Sequence, residues 1–496
     1  MKLTRILSLL LCVLLIASVF VGCADDNNKE KNPGDTTSSN DESKNEDNNE
    51  VDKTPLEQAL DKINGYKGTV KPGKDFNILT RDGIDGQFYV EEMSTNNLEM
   101  AVYNRNGAFR DLFDIDVTAT SAPDADFMNV LGTDVKSDGQ YTVAFGHTDN
   151  AINFAINSYT YNFLDLEIDY EQSWWDSGTY SFNVSDGVWF MNGSFNYDDD
   201  DCTYVLMFNK KLYADKFSGA EKNFYDMVRA GEWTLDTFNN VIQNISADNG
   251  DGTWDEKDTY GFVTTWEYGT TFFYAAGLNY VKCEEGKDPY LAFNDTNMGK
   301  ANDLLDKILN IYYVGNATYW SPGGSEKFGL DAFTDGRALF YGEVVSYIQT
   351  CSDKMTQEFG VLPIPKYNKD QEKHITWTHG ISSSMTIVNR VTDKEMTAKL
   401  IEAFAVLSDQ YVRPEYYEKV LKRKAVKDED SGPMLDLIFQ GRTYDIAMYY
   451  GDLGLVQAFK TCVNSNSAGF SSKYTAASKR ANSQIKSLVK RLNNRK

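Results

Sequence analysis

The sequence predicts an α/β protein with two or more lobes, and three observations predict it. Roughly 440 residues follow Leu56, more than one ordinary core serves. Short strand-like apolar runs lie between amphipathic helices. Aromatic residues make up 13% of the chain, with 30 Tyr and 28 Phe, enough for a well-packed body.

The N-terminus is read first. Lys2 and Arg5 precede an almost unbroken apolar run over 6–20, which ends at Val21-Gly22-Cys23. A positive start, an apolar core and small residues at the end make a secretory signal over 1–22. The run is too short to span a bilayer comfortably. Phe20-Val21-Gly22-Cys23 resembles a bacterial lipobox, which implies acylation of Cys23, with palmitate among the chains. Several acyl chains on one residue would anchor stably. Residues 23–55 follow as an acidic, polar tether without aromatic residues. Such a stretch buries too little apolar surface to offset its chain entropy.

Helices and strands alternate beyond it. Leu98, Ala101, Val102, Phe109 and Leu112 recur at helical spacing and predict a helix over about 95–113. Thr234 reads as the N-cap of a helix near 233–246, with Trp233 stapled onto Phe238. Thr392 to Glu395 has capping-box form and predicts a third helix. Strand-like runs occupy 76–79, 141–145, 204–208 and 384–388.

Charge and cysteine usage exclude several functions. A net charge of -24 argues against a nucleic-acid partner. The basic stretch 479–496 carries Ile485, Leu488, Val489 and Leu492 at helical spacing, as expected of a surface helix docked on the body. Cys202, Cys283, Cys351 and Cys462 have no CxxC spacing, so a zinc or redox site is not expected. Two disulfides remain open outside the cytoplasm, and their pairing is not readable. Three histidines, His147, His374 and His379, exclude a histidine-rich metal site.

Several segments then resemble the extracellular solute-binding proteins of ABC importers, in the broad family that includes maltose-binding protein. They include Phe208-Asn209-Lys210-Lys211-Leu212, Gly231-Glu232-Trp233-Thr234-Leu235-Asp236 and Asp258-Thr259-Tyr260-Gly261-Phe262. Phe333-Thr334-Asp335-Gly336-Arg337-Ala338 and Phe359-Gly360-Val361-Leu362-Pro363-Ile364-Pro365-Lys366 follow in the same order. The resemblance implies a two-lobed, type II periplasmic-binding-protein-like fold whose lobes are discontinuous and joined by crossover strands. Lobe 1 would take 56–198 and 369–412, and lobe 2 would take 199–368 and 413–496. Crossings are expected near 196–203, after Pro365 and near 412–415.

The implied function is capture of a sugar or oligosaccharide in an interlobe cleft and delivery to an ABC permease. The chain would act as a monomer, lipid-anchored on the extracytoplasmic face of the cell membrane. Sugars need aromatic faces for their C–H surfaces and fixed polar partners for their hydroxyls. Trp266, Tyr268, Glu343, Trp377, Asp199 and Trp175 are the ligand-binding candidates by position, although at least one of Trp174 and Trp175 is expected in the core. Glu267, Asp198 and His379 lie beside them in sequence.

No catalytic residue or required cofactor is expected. A structural calcium is suggested by 248–258, where Asn249, Asp251, Asp255 and Asp258 match oxygen-donor positions of an EF-hand-type loop. Position one would be Ala247, which cannot ligate. The rival functions are a secreted glycan-active hydrolase, which needs two carboxylates across a cleft, and a ligand-sensing lipoprotein subunit. No hydrolase, metalloprotease or P-loop motif is present.

Overall fold

The computed structural model describes residues 53–70, 75–321, 326–425, 429–450 and 453–494. The signal, Cys23 and the tether up to Asp52 lie outside the described residues. The body begins with the helix Pro55–Asn64, where Thr54 and Glu57 form a reciprocal capping box.

Two five-stranded sheets organise the body. The strands are β1 (Phe76–Arg81), β2 (Val117–Ala122), β3 (Val143–His147), β4 (Thr160–Tyr161), β5 (Tyr204–Asn209), β6 (Tyr260–Thr265) and β7 (Val281–Lys282). They continue with β8 (Tyr290–Leu291), β9 (Thr318–Ser321), β10 (Ala338–Val344), β11 (Phe359–Leu362), β12 (Thr376–Trp377), β13 (Ser383–Val388) and β14 (Arg442–Thr443). The first sheet runs β2-β1-β3-β13-β4, and the second runs β11-β5-β10-β6-β9. Strands β1, β2 and β3 are parallel, and so are β10, β6 and β9; β13 and β5 run antiparallel within their sheets. Strands β5, β6 and β13 are buried along their whole length. Helices therefore cover both faces, the usual state of a largely parallel sheet.

The helices follow from caps and apolar faces. In Asn97–Phe113, the Asn96 side chain accepts from the amides of Leu98 and Glu99, and Asp114 closes the helix in the left-handed region. In Leu235–Gln243, Thr234 accepts from the Thr237 amide, and the rings of Trp233 and Phe238 lie 6.0 Å apart. The helix Lys394–Arg413 is capped by Asp393, which accepts from the Met396 amide. The Thr392 capping box expected from sequence is thus shifted by one residue, because Asp at this position offers the stronger acceptor. Residues Ile485, Leu488, Val489 and Leu492 are buried in the helix Phe470–Asn493, which packs against Asp295–Tyr313 and against Ala151–Ile156 of the first lobe.

Each sheet has its own core. Phe76, Phe109, Phe145, Phe195 and Phe404 fill the first, together with both Trp174 and Trp175. Trp233, Phe238, Phe262 and Phe340 fill the second. Three stretches pass between lobes: residues 196–203, residues 378–383, and the run from Lys394–Arg413 into the π-helical Pro414–Ala425. The first two are joined by a bridge between Thr203 and Thr378. Cys202, Cys283, Cys351 and Cys462 are free thiols. Among the described residues, no helix is long and apolar enough to cross a membrane.

Candidate ligand-binding cleft

Ligands of open α/β sheets bind beyond the carboxyl ends of the parallel strands. Here the strand ends of both lobes meet the same two crossing segments. At the end of β1, Arg81 holds Asp198 at 2.9 Å and donates to the Ser383 hydroxyl at 2.7 Å. Beyond β3, the amides of Thr148 and Asp149 donate to the carbonyls of Ser382 and Gly380. Beyond β10, the Val345 amide donates to the Thr203 carbonyl. Beyond β6, Glu267 reaches His379, and the Trp266 ring lies under Lys460.

Glu267 is the centre of this meeting point. It accepts from the Tyr204 hydroxyl at 3.0 Å, faces His379 Nε2 at 3.1 Å and faces Lys460 Nζ at 3.5 Å. The Ile381 amide donates to His379 Nδ1, so Nε2 carries the proton and donates to Glu267. Burial pushes the Glu267 carboxyl up, but His379, Lys460 and Tyr204 together pull it down to about 2. Glu267 is therefore a fixed anion at neutral pH. Lys460 Nζ also sits 3.4 Å above the Trp266 ring centroid, a cation–π contact. Burial pushes Lys460 down from the usual lysine range, against the opposing pull of Glu267.

The first lobe supplies the opposite side. Burial raises the Asp149 carboxyl, opposed by His147 and His379. His147 pairs with Asp124 at 3.1 Å. A hollow of about 380 Å³ runs from Asp149, Asn150 and Asn153 to Val456, Gln457 and Lys460. Ile381, 50% exposed, presents an apolar side chain on the crossing. The arrangement combines an aromatic face, a fixed anion, a cation and neutral amides, which suits a polar ligand with both faces and hydroxyls.

The candidates chosen from sequence divide sharply. Trp266 stands at the cleft, half-buried. Tyr268 is fully buried; it opens the helix Tyr268–Ala275, turns into the core and donates to the Val205 carbonyl at 2.7 Å. Trp377 is 2% exposed, stacks on Tyr204 at 5.0 Å and donates to Thr271 Oγ1. Glu343 is buried and accepts from the Val344 amide next to it. Trp175 is buried in the first lobe against Tyr170 and Phe195. These four side chains support the cleft or the core, and none lies open in it. Strand and helix periodicity turned them inward, which position along the chain does not reveal.

Asp199 belongs to a buried charge cluster. The helix Asp198–Asp201 sends its four carboxylates to three side-chain partners, Arg81, Arg442 and Tyr416. Asp198 takes Arg81 and the Ser383 amide, Asp199 and Asp200 take Arg442 at 2.8 and 2.7 Å, and Asp201 accepts from the Tyr416 hydroxyl at 2.6 Å. Asp176 of the first lobe completes the set on Arg442 at 2.7 Å. Burial drives Asp199 and Asp200 upward against the pull of Arg442, and drives Asp201 up to about 7.

The loop expected to hold calcium has its own internal hydrogen bonds. Asp258 is fully buried, and its two oxygens accept from the amides of Asn249 and Asp255. The side chains of Asn249, Asp251 and Asp255 accept from amides two residues on, as Asx turns do. Among the described residues, no group of three or more His, Cys, Asp or Glu side chains is arranged to hold a metal.

Sequence reasoning missed Lys460, Asp149, Arg81 and Tyr204 as cleft residues. Lys460 arrives on the helix Leu455–Asn464, far along the chain from Trp266, and no local signal marks it.

Solved structures share this architecture. A cyclo/maltodextrin-binding protein complexed with maltotetraose aligns at TM-score 0.56 and 11% identity, over 83% of this chain and 98% of that one. A cyclic alpha-maltosyl-1,6-maltose binding protein from Arthrobacter globiformis aligns at 0.57 and 14%, over 84% and 100%. An extracellular solute-binding protein from Staphylococcus aureus in complex with maltose aligns at 0.57 and 11%, over 84% and 99%. These likenesses show the fold: the chain is built as the two-lobed solute-binding proteins are. No protein-family model matches the sequence, and no curated protein matches it.

Proposed function

We propose that this chain is a lipid-anchored solute-binding protein that captures a sugar or oligosaccharide and hands it to an ABC permease. The observation that carries the reading is the convergence of strand ends from both lobes on the crossings, with Trp266, Glu267, His379 and Lys460 at the junction. A ligand touching both lobes there would favour their closed arrangement, and a permease could sense that difference. The sugars named with the structural neighbours, maltose and maltotetraose, favour a glucan-like ligand. The hydrolase alternative needs a carboxylic acid that keeps its proton near neutral pH, a part that Glu267, held at about 2, does not fit.

Calorimetry with maltose, maltotetraose and a panel of other oligosaccharides tests the reading. Binding without product release is expected, and Trp266→Ala should weaken it about tenfold or more. Release of shorter sugars would overturn the binder reading. The anchor is tested separately: Cys23→Ser should release or mis-process the chain with ligand affinity unchanged.

A further inference from the structure

Charge is segregated along this chain. All 73 acidic residues and 40 of the 49 basic ones lie at or before Asp452, and residues 453–496 hold nine basic residues and no acidic one. Most of that segment is the helix Phe470–Asn493, which spans 24 residues, about 36 Å. Tyr474, Ala481, Ile485, Leu488 and Leu492 bury one side of it against the body. Lys479, Lys486 and Lys490 form an exposed row along the helix, and Arg480 and Arg491 form a second row about 100° round it. The two rows flank the line opposite the buried side. We propose that this outer face is a docking surface for an anionic phospholipid membrane.

Three observations favour that partner. First, the cations are unpaired. Other surface helices of the molecule pair theirs with acids one turn away: Lys211 with Asp215, Lys399 with Glu395, and Arg413 with Asp409. Among the described residues, none of the five cations on this face has an ion-pair partner. Lys490 and Arg491 also complement the dipole of the last turn, but Lys479, Arg480 and Lys486 lie too far from the helix end for that. Second, the face offers charge without a shape. Asn482, Ser483 and Ser487 stand exposed between the cations, and the large apolar residues of the helix all point inward. A protein partner would be expected to find aromatic or aliphatic anchors there, whereas a lipid surface needs only distributed charge. The same lack of exposed apolar side chains excludes insertion, so contact is confined to the headgroups. Third, the acidic body does not cancel the attraction. The helix is about 10–12 Å thick with its side chains. At about 0.1 M salt the screening length is about 10 Å. A membrane against the outer face therefore feels the two cationic rows, while acids behind the helix are screened.

The proposal uses neither acylation of Cys23 nor the cleft ligand, and vesicle partitioning tests it on the full chain carrying Cys23→Ser. Its affinity is measured for vesicles of phosphatidylcholine alone and of phosphatidylcholine and phosphatidylglycerol in equal parts. The readout is the ratio of the two affinities, in which apolar contributions common to both cancel. A clear preference for the anionic vesicles is expected at about 0.1 M salt and should vanish at about 1 M, where the screening length is about 3 Å. Each basic residue near an anionic surface contributes about fivefold in affinity, so adding Lys479→Gln, Lys486→Gln and Lys490→Gln should lower the ratio about tenfold to a hundredfold. Lys257→Gln, Lys287→Gln and Lys369→Gln remove equal charge from side chains 64–71% exposed elsewhere, and should change the ratio less than about threefold. Gln is about as good a helix former as Lys, and thermal unfolding confirms that both triple variants fold. No preference of the folded chain for anionic vesicles would overturn the proposal. So would equal losses in the two triple variants, or a preference that persists at about 1 M salt. Binding to soluble polyglutamate without binding to anionic vesicles would overturn it in favour of an acidic protein partner.

Discussion

Glu267 in the cleft and Asp201 in the crossing are both largely buried carboxyls, yet they respond to burial in opposite ways. Glu267 has His379, Lys460 and Tyr204 around it and is held down at about 2. Asp201 has a single hydroxyl donor and the charges of Asp198 and Asp200 nearby, and rises to about 7. Burial acts the same way on both; the supply of cations decides the outcome. The cleft is over-supplied with positive partners for its one anion. The crossing is under-supplied, with Arg442 shared by Asp176, Asp199 and Asp200. A ligand can reach the first set through the exposed parts of Glu267, His379 and Lys460, whereas Arg442, Asp176 and Asp199 of the second set are locked inside.

The comparison breaks most severely at Arg442. Arg442→Met should leave three buried carboxylates without their cation and cost about 3–5 kcal/mol of stability. Chemical denaturation reads this directly, and a loss below about 1 kcal/mol would mean the cluster is not a structural tie. Next comes the pH response. Folded Asp201 keeps its proton up to about pH 7, whereas an unfolded Asp loses it near 3.8. The folded state binds more protons in that window, so this group's effect makes stability fall as pH rises from about 3.8 to 7. Asp201→Asn should remove that fall, an effect on the order of 4 kcal/mol or less. Glu267→Gln gives the smallest change and the opposite sign. Its depressed carboxyl contributes stability above about 4.5 that is lost as pH falls toward about 2. At pH 7 Glu267→Gln should cost about 1–2 kcal/mol, and the difference from wild type should shrink on acidification.

The architecture was legible because its signals are local. Apolar runs such as Tyr204-Val205-Leu206-Met207-Phe208 became buried strands, and Thr234 capped the helix it preceded. The site was less legible because it is assembled from distant segments. Trp266 follows a strand end, and that is a local fact. Lys460 above its ring comes from another helix, and no spacing rule links the two. Tyr268, two residues beyond Trp266, failed as a candidate because the helix beginning there rotates it into the core. The tetrad Asp198-Asp199-Asp200-Asp201 looked like a cleft edge. Its charge could be buried only because Arg81, Arg442 and Tyr416 converge from three other parts of the chain.

The position of β13 sets the order in which the molecule can be completed. It lies between β3 and β4, and the Thr386 hydroxyl meets the Ala144 carbonyl 242 residues away in sequence. The second sheet draws all five strands from one continuous stretch, β5 to β11. Closing a long loop costs entropy before any contact repays it. The second sheet can therefore form from one continuous stretch, although its lobe's core still awaits Met434, Phe459 and Phe470, while the first sheet waits with β3 unpaired along the edge that β13 will fill. A slow last step, with a strand edge open until β13 arrives, is the kinetic outcome expected from threading one lobe through the other.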